Sequence, residues 1–480
     1  MDCHDSIFIS ICWLKIILKS AAKNLNSFIE CRFCALFLMD LTKGNIRKTL
    51  VLFTLPMLLG ALLQQCYNVA DSIIVGQFLG SMSLAAVGSA YALMTFLLSI
   101  FLGLCLGSGT VFSLHYGAGK LSLMRTSIYV SFVSIGLISL AVMAVVIGFL
   151  DFFLHLLHVP SDVYPFMRSY LNIVSWGIPF VFLYNFCAYL LRSVGEALAP
   201  LWFLVISVIL NIGLDLFFVI YLHSDVSGVA WATLLAQGIA AVTMLIYTLL
   251  KRKDLIPKRE ECKMRKCVLT ELLSFSGITC LQQSVMNFGI LMVQGLVNSF
   301  GAVVMAAFAA GVKIDSFAYM PMQEFGNAFS TFVAQNFGAS NTQRVRKGIR
   351  TALRLSIAFS LPISALVFIF APELMACFVP LSDVEVIHIG VSYLRIEGAF
   401  YIGIAILFLL YGYYRAIRMP QMSFILTIFS LGIRVVLAYI LSSISAFGVN
   451  GIWWSIPIGW AIADAIGCGY YYILKRKFAE

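Results

Sequence analysis

Twelve apolar runs, each long enough to cross a lipid bilayer, follow one another along this chain with short polar stretches between them. A helix needs about 20 apolar residues to cross the hydrocarbon core, and it satisfies its own backbone hydrogen bonds there. The runs therefore predict an all-α polytopic membrane protein with twelve transmembrane helices. Predicted spans 1 to 12 cover residues 46–77, 84–116, 121–152, 162–191, 198–222, 228–251, 267–298, 304–336, 343–372, 384–415, 421–442 and 448–474.

The composition excludes a soluble protein. Of the 480 residues, 61% are hydrophobic and only 11% are charged, whereas soluble domains carry about 25% charged residues. The net charge of +10 would suggest nucleic acid in a soluble protein, but here the positive residues lie in short loops between apolar runs. We therefore expect a lipid bilayer as partner and no nucleic acid.

The basic residues lie on one side of the predicted spans, in every second loop. They concentrate before span 1, in every even-numbered loop and after span 12, while the other loops carry mainly acidic charges. Because Lys and Arg accumulate in cytoplasmic loops, this pattern predicts a multi-pass protein of the cell membrane with both termini in the cytoplasm. Examples on the basic side are Arg47, Lys120, Arg192, Lys251, Arg344, Arg415 and Lys475.

The first segment of the chain does not match the rest. Residues 1–38 are moderately apolar with interspersed Lys and Arg, and they contain no clean span. Met39 then opens the stretch MDLTKGNIRKTL, which fits a native start. Our hypothesis is that 1–38 is an N-terminal extension translated from upstream sequence and absent from the native protein.

The remaining chain repeats itself. Residues 80–86 (GSMSLAA) recur as 301–307 (GAVVMAA), and 116–118 (YGA) recur at the same offset as 337–339 (FGA). Each copy contains six spans, an even number, so the copies share one orientation in the membrane. Parallel halves around a central cleft are a transporter architecture. The predicted organisation is an N-lobe at 39–252 with spans 1–6, a cytoplasmic linker at 253–266 and a C-lobe at 267–480 with spans 7–12.

One carboxylate interrupts the apolar run 55–88. Gln64, Tyr67 and Asp71 fall at positions i, i+3 and i+7, so they share one face of span 1. An ionisable residue inside a membrane helix is expensive and indicates function.

Two further polar residues match Asp71 in depth, and a third lies beside one of them. Asp215 and Thr233 lie, like Asp71, about 8–10 Å below the outer surface, and Asn211 shares the face of Asp215 at i−4. Two carboxylates, an amide and a hydroxyl can bind a proton or a small hard cation such as Na⁺. We predict that they form a coupling site; the alternative is two separate structural carboxyl groups.

The C-lobe carries a different set of charges inside the membrane. Lys313, Asp315, Arg395, Glu397 and Arg434 fall about 10–20 Å below the outer surface. One interpretation is a buried ion-pair network that stabilises the C-lobe. The other is that Glu397 or Asp315 faces the cleft and contacts substrate.

Several short motifs, in this order and spacing over twelve spans, resemble the multidrug and toxic compound extrusion (MATE) family. The motifs extend over nearly all of 39–477 and none is specific alone. They are LP at 55–56, YNVADSIIVG at 67–76, LGSMSLAAVG at 79–88, YGAG at 116–119, LNIGLD at 210–215, GVAWAT at 228–233 and VAQNFGAS at 333–340.

The resemblance implies a cation-coupled antiporter, without a cofactor, that exports amphipathic and often cationic organic compounds. In one prokaryotic branch of the family the N-lobe pocket carries residues that match Asp71, Asn185, Asn211, Asp215 and Thr233. The kink proline of the first span matches Pro56, and the polar residues beside its Asp match Gln64 and Tyr67. Another branch has a sodium-site Glu in the seventh span, but 274–299 contains no carboxylate here. We therefore expect coupling through the N-lobe, by H⁺ or Na⁺, in a monomer.

Rival functions predict other features. A lipid-linked precursor flippase of related fold usually has more spans and a more cationic cleft, and a metabolite exporter with a narrow substrate range would share the fold. A membrane enzyme needs a nucleophile, metal or phosphate site, and the one close histidine pair, His155 and His158, has no nearby Cys. A receptor or scaffold does not require buried carboxylates. We predict a transporter rather than an enzyme.

Overall fold

A computed structural model describes residues 39–156, 159 and 161–477, so the predicted extension 1–38 lies outside the described residues. The described chain forms a bundle of twelve helical spans, as predicted. In chain order they are Ile46–Leu79, Gly80–Gly117, Leu121–Gly148, Tyr164–Ser175 with Ile178–Ser193, Leu198–Tyr221, Val226–Lys251, Lys266–Asn298, Ala302–Gly338, Thr342–Ile369, Val384–Gly398 with Tyr401–Ala416, Pro420–Ser443, and Val449–Lys477.

Length and apolarity identify most of these helices as membrane spans. Within the described residues, nine helices are long and apolar enough to cross a membrane, and two bent pairs bring the number to eleven. The last helix, Val449–Lys477, has 29 residues, packs along span 11 and completes the twelve. Short helices at Leu150–Leu156 and Ala371–Ala376 follow spans 3 and 9.

Spans 4 and 10 are broken at equivalent places. Span 4 bends by 47° between Ser175 and Ile178, and span 10 bends by 50° between Gly398 and Tyr401. The two breaks share one sequence offset, and the same offset relates Ser169-Tyr170-Leu171 to Ser392-Tyr393-Leu394 just before them. The bends therefore belong to the repeated six-span unit.

The N-terminal segment and the even-numbered loops meet at one end of the bundle, which we call the basic end. Contacts between them define it. They join Met39 N to Gly195 O at 3.2 Å, Arg344 Nη1 to Gly44 O at 2.7 Å, Arg125 Nε to Asp254 O at 2.8 Å, and Arg418 Nη2 to Glu271 Oε1 at 3.3 Å. The basic loops thus share one end, as the charge pattern predicts.

The two lobes touch closely at the basic end. A Cβ added at Gly117 of span 2 would collide with the carbonyl of Gln335, and one added at Gly338 of span 8 would collide with the carbonyl of Leu114. Only glycine permits this backbone approach. The two glycines occupy equivalent positions in the repeat, so one sequence feature, used twice, closes this end.

Candidate functional site

Four polar side chains of the N-lobe lie buried among apolar helices. Asp71 is 9% exposed, Asn211 2%, Asp215 0% and Thr233 5%. They come from spans 1, 5 and 6, and span 5 packs against both of the others. Asn211 and Asp215 share a helix face because they are four residues apart. The structure therefore brings together the three residues that depth along the spans places at one level, and with them Asn211.

Both acidic helices change geometry just beyond their carboxylates. Span 1 widens to a π-helical turn at Val75–Leu79 after Asp71, and span 5 does so at Phe217–Tyr221 after Asp215. These two turns pack against each other. Single π-helical turns occur frequently at functional sites. They end the regular helix beside the acidic pair, where a small rotation can move either carboxylate.

The acidic pair is short of hydrogen-bond donors. The carboxyl groups of Asp71 and Asp215 lie close enough to influence each other, and Asn211 Nδ2 donates to Thr233 Oγ1 at 3.3 Å. Among the described residues, no N–H or hydroxyl group donates to Asp71 Oδ1, to Asn211 Oδ1 or to either oxygen of Asp215. Buried oxygens without donors are costly, so this site favours a proton or a cation between the two carboxylates.

The available ligands fit a hard monovalent cation as well as a proton. They are carboxylate, amide and hydroxyl oxygens, without a sulfur or imidazole group, and hard cations prefer oxygen ligands. Among the described residues, no group of three or more His, Cys, Asp or Glu side chains is placed to hold a metal ion.

Sequence reasoning missed Tyr170 of span 4. Its ring is 7% exposed, and its hydroxyl group lies in the electrostatic environment of Asp71, Asp215 and Tyr67. The repeat held a signal, because Tyr170 is equivalent to Tyr393, which lies beside Glu397 in the C-lobe. Each lobe therefore places a buried tyrosine from its fourth span next to an acidic residue.

Four other predicted residues are not shown to take part in the buried pair. The Asn185 amide donates to the Val181 carbonyl of its own helix at 2.8 Å, and no contact recorded for it reaches the pair. Gln64 is exposed and Tyr67 half-buried on span 1. Pro56 lies inside span 1, which continues through it as a helix. Their roles in coupling remain predictions.

The C-lobe acidic residues form a separate cluster. Glu397 is 3% exposed, and its Oε2 has no hydrogen-bond partner among the described residues. Tyr401 donates its hydroxyl group to Asp315 Oδ1 at 2.7 Å. Arg434 of span 11 lies in the electrostatic environment of both acids. Within the described part of the chain, this cluster therefore has a positive charge nearby and the N-lobe pair has none.

Two of the five charged residues expected in a buried C-lobe network lie outside it. Lys313 is exposed, and Arg395 is exposed with its guanidinium over the Phe368 ring at 5.6 Å. Both are neighbours in sequence of a buried acidic residue, but they project from other faces of their helices. The interpretation as a five-residue network is thus reduced to Asp315, Glu397 and Arg434.

Solved structures with this fold are known. The chain aligns with a MOP superfamily transporter from Pyrococcus furiosus, whose binding pocket is described as having reverse polarity, at a TM-score of 0.86 and 22% identity, over 92% of this chain and 98% of that one. An outward-facing multidrug resistance MATE family transporter aligns with the same TM-score, identity and coverage. These likenesses establish the twelve-helix fold of two parallel repeats.

Sequence comparison identifies the family. The chain is 30% identical to the "Probable multidrug resistance protein YpnP" of Bacillus subtilis, over 78% of this chain and 84% of that protein. It is 26% identical to the "Probable multidrug resistance protein YoeA" of the same organism, over 91% and 96%. The MatE sequence model matches residues 56–217 and again 278–440, once in each half. The chain therefore belongs to the MatE family of membrane transporters, which are not enzymes.

Proposed function

We propose that this protein is a secondary antiporter that exports amphipathic, often cationic, organic compounds in exchange for H⁺ or Na⁺. The observation that carries the proposal is the proximity of Asp71 and Asp215, two buried carboxyl groups that have no cationic side chain beside them among the described residues. The names of the relatives, which describe multidrug resistance and multidrug export, support the substrate class.

The pair supplies a means of coupling ion binding to movement. Two ionised carboxylates in a low dielectric repel each other, whereas a proton or cation between them removes the repulsion. Asp71 and Asp215 lie on different helices, so a change in their charge changes the force between spans 1 and 5. Asn211 and Thr233, which are hydrogen-bonded to each other, lie beside the pair and add oxygen ligands.

Span 1 is the element that we expect to respond. Pro56 cannot donate a backbone hydrogen bond, which weakens span 1 on the basic side of Asp71. We propose that cation binding draws Asp71 towards Asp215 and shifts span 1 about Pro56. The shift narrows the N-lobe pocket, so that substrate leaves at the end of the bundle opposite the basic end.

The proposed orientation follows from the basic end. Its loops carry the Lys and Arg residues, so we assign it to the cytoplasm, with both termini there and the protein in the cell membrane. The close crossing of spans 2 and 8 at the basic end supports our inference that this state faces away from the cytoplasm. The protein acts as a monomer, since one chain supplies both lobes of the cleft.

Transport in liposomes tests the proposal. Purified protein is reconstituted with a fluorescent organic cation, and a proton gradient and a sodium gradient are imposed separately. We expect movement under one of them, and its loss in the Asp71→Asn variant, which replaces the carboxylate by a group of the same shape. Equal movement in the variant would exclude the N-lobe pair as coupling site. The absence of movement under both gradients would favour a flippase or a metabolite exporter with a narrow substrate range.

A further inference from the structure

A second polar region lies at the basic end, far along the helices from the acidic pair. A cavity of about 170 Å³ opens there between the lobes. Leu114, His115 and Lys120 of the N-lobe form one wall. Phe337, Gly338 and Arg418 of the C-lobe contribute the other. We call it the basal cavity. Because both lobes contribute, it exists only while this end is closed.

The basal cavity carries an excess of positive charge. Lys120 and Arg418 line it, and the carboxylate nearest to them is Glu271, whose Oε1 lies 3.3 Å from Arg418 Nη2. Glu271 Oε2 faces His115 Nε2 at 3.4 Å. Lys120 has no ion pair within 4.0 Å among the described residues. One carboxylate thus serves two permanent cations and an imidazole, which leaves at least one positive charge without a partner.

The fold fixes the His115 side chain and the Arg418 backbone, whereas the side chains of Lys120 and Arg418 are exposed. The His115 side chain is 3% exposed, and its Nδ1 lies 3.3 Å from Ser127 Oγ. Arg418 adopts φ +67°, a left-handed conformation that is uncommon for residues other than glycine. The Met419 N–H, which bonds to the Tyr414 carbonyl at 2.9 Å, helps to hold this turn. Strained backbone of this kind is concentrated at functional positions.

We propose that the basal cavity binds a phosphate group and thereby bridges the lobes. Arginine offers a planar fork of donors and lysine a compact charge, and both are preferred partners of phosphate. The volume accommodates a phosphate with a small substituent. The group belongs either to an anionic phospholipid headgroup at this membrane surface or to a free phosphate compound. By linkage, a ligand that needs both walls stabilises the closed basic end.

Binding to the purified full-length protein in neutral detergent tests this site without any transport assay. Melting temperature is followed during titration with dioctanoyl phosphatidylglycerol, with inorganic phosphate and with dioctanoylglycerol, which lacks phosphate. We expect saturable stabilisation by at least one phosphate compound and none by dioctanoylglycerol. Lys120→Gln and Arg418→Gln, one from each lobe, should each raise the half-saturating concentration about tenfold, the effect of losing one charge-assisted hydrogen bond.

Matched variants separate this site from general surface charge. Lys347→Gln with Arg350→Gln removes two exposed cations of span 9 that do not line the cavity and should leave the titration unchanged. Ala118→Leu fills the cavity while keeping every charge and should abolish stabilisation, which covers the case that a charge variant fails to fold. Stabilisation by phosphatidylglycerol alone identifies a lipid, and stabilisation by inorganic phosphate shows that the phosphate suffices. Equal titrations in wild type, Ala118→Leu and the cavity-charge variants would overturn the proposal.

Discussion

The two lobes derive from one repeated unit, yet they treat buried acidic residues differently. In the N-lobe, Asp71 and Asp215 face each other, with Asn211 and Thr233 beside them and no cationic side chain among their recorded contacts. In the C-lobe, Asp315 and Glu397 share the neighbourhood of Arg434. Because Arg434 supplies a charge from within the chain, the C-lobe depends less on an external cation. On this difference we base the proposal that coupling runs through the N-lobe and that Arg434 balances charge in the C-lobe.

The largest effect that this comparison predicts is on coupling. Asp215→Asn removes one carboxylate of the N-lobe pair and should reduce gradient-driven export to the background rate. The fold should survive, because the amide is isosteric and relieves the repulsion within the pair. Liposome transport with a melting curve of the same preparation measures both properties. A variant that exports normally would remove Asp215 from the account, and a variant that fails to fold would give it a structural role.

A second prediction concerns Arg434. Arg434→Met leaves Asp315 and Glu397 without their neighbouring positive charge, and we expect a loss of about 2 kcal/mol in stability. This is below the roughly 3–5 kcal/mol lost when one partner of a buried ion pair is removed. The loss is smaller because Arg434 is half-buried and makes no ion pair within 4.0 Å among the described residues. Chemical denaturation in detergent gives the value. The double variant with Glu397→Gln should recover part of the loss; if it does not, charge balance is not the role of Arg434.

A third prediction distinguishes the side chains around the N-lobe pair. Asn211→Ala removes an oxygen ligand and should raise the ion concentration for half-maximal transport about tenfold. Asn185→Ala should have a much smaller effect on that concentration, because the Asn185 amide donates its hydrogen bond to the Val181 carbonyl of its own helix. The reverse order would support the role that family resemblance gives to Asn185 and contradict the arrangement described here.

The smallest predicted effect lies at the other end of the bundle from the basic loops. Arg168 Nε donates to Asp151 Oδ1 at 2.7 Å, and Tyr164 also donates to it. These hydrogen bonds hold the pKa of Asp151 below its usual value. Their stabilisation is therefore present at neutral pH and lost as the pH falls through that lowered pKa. Because both groups are exposed, Arg168→Gln should lower the melting temperature at pH 7 by only about 1 °C or less.

A fall in melting temperature well above about 1 °C in Arg168→Gln would mean that this exposed ion pair stabilises the fold more than exposed ion pairs usually do. The control is Asp162, a nearby carboxylate without an arginine among its recorded partners. Asp162→Asn should leave the melting temperature unchanged.

The architecture followed from the sequence because each of its signals is local and strong. Apolar length marks the spans, and the alternation of Lys and Arg marks the basic end. The acidic pair also followed, since helix rise converts sequence position into depth, and residues on three helices at one depth can meet only if their faces point inwards.

The sequence did not predict how each helix is rotated about its own axis, and so which side chains face the core. Depth placed Lys313 and Arg395 with the buried acids, but the structure exposes both. Tyr170 was missed because a tyrosine in an apolar run resembles ordinary core. The π-helical turns after Asp71 and Asp215 and the bends of spans 4 and 10 depend on packing between helices, which hydrophobic length does not encode.

The most direct test of this proposal asks which lobe holds the coupling ion. In weakly buffered detergent solution, proton release and bound radioactive sodium are measured while a fluorescent organic cation is added to wild type, Asp71→Asn and Glu397→Gln. The account predicts that substrate displaces a proton or a sodium ion from wild type and from Glu397→Gln. It predicts that substrate displaces neither ion from Asp71→Asn. Displacement that persists in Asp71→Asn and disappears in Glu397→Gln would contradict it and transfer the coupling site to the C-lobe.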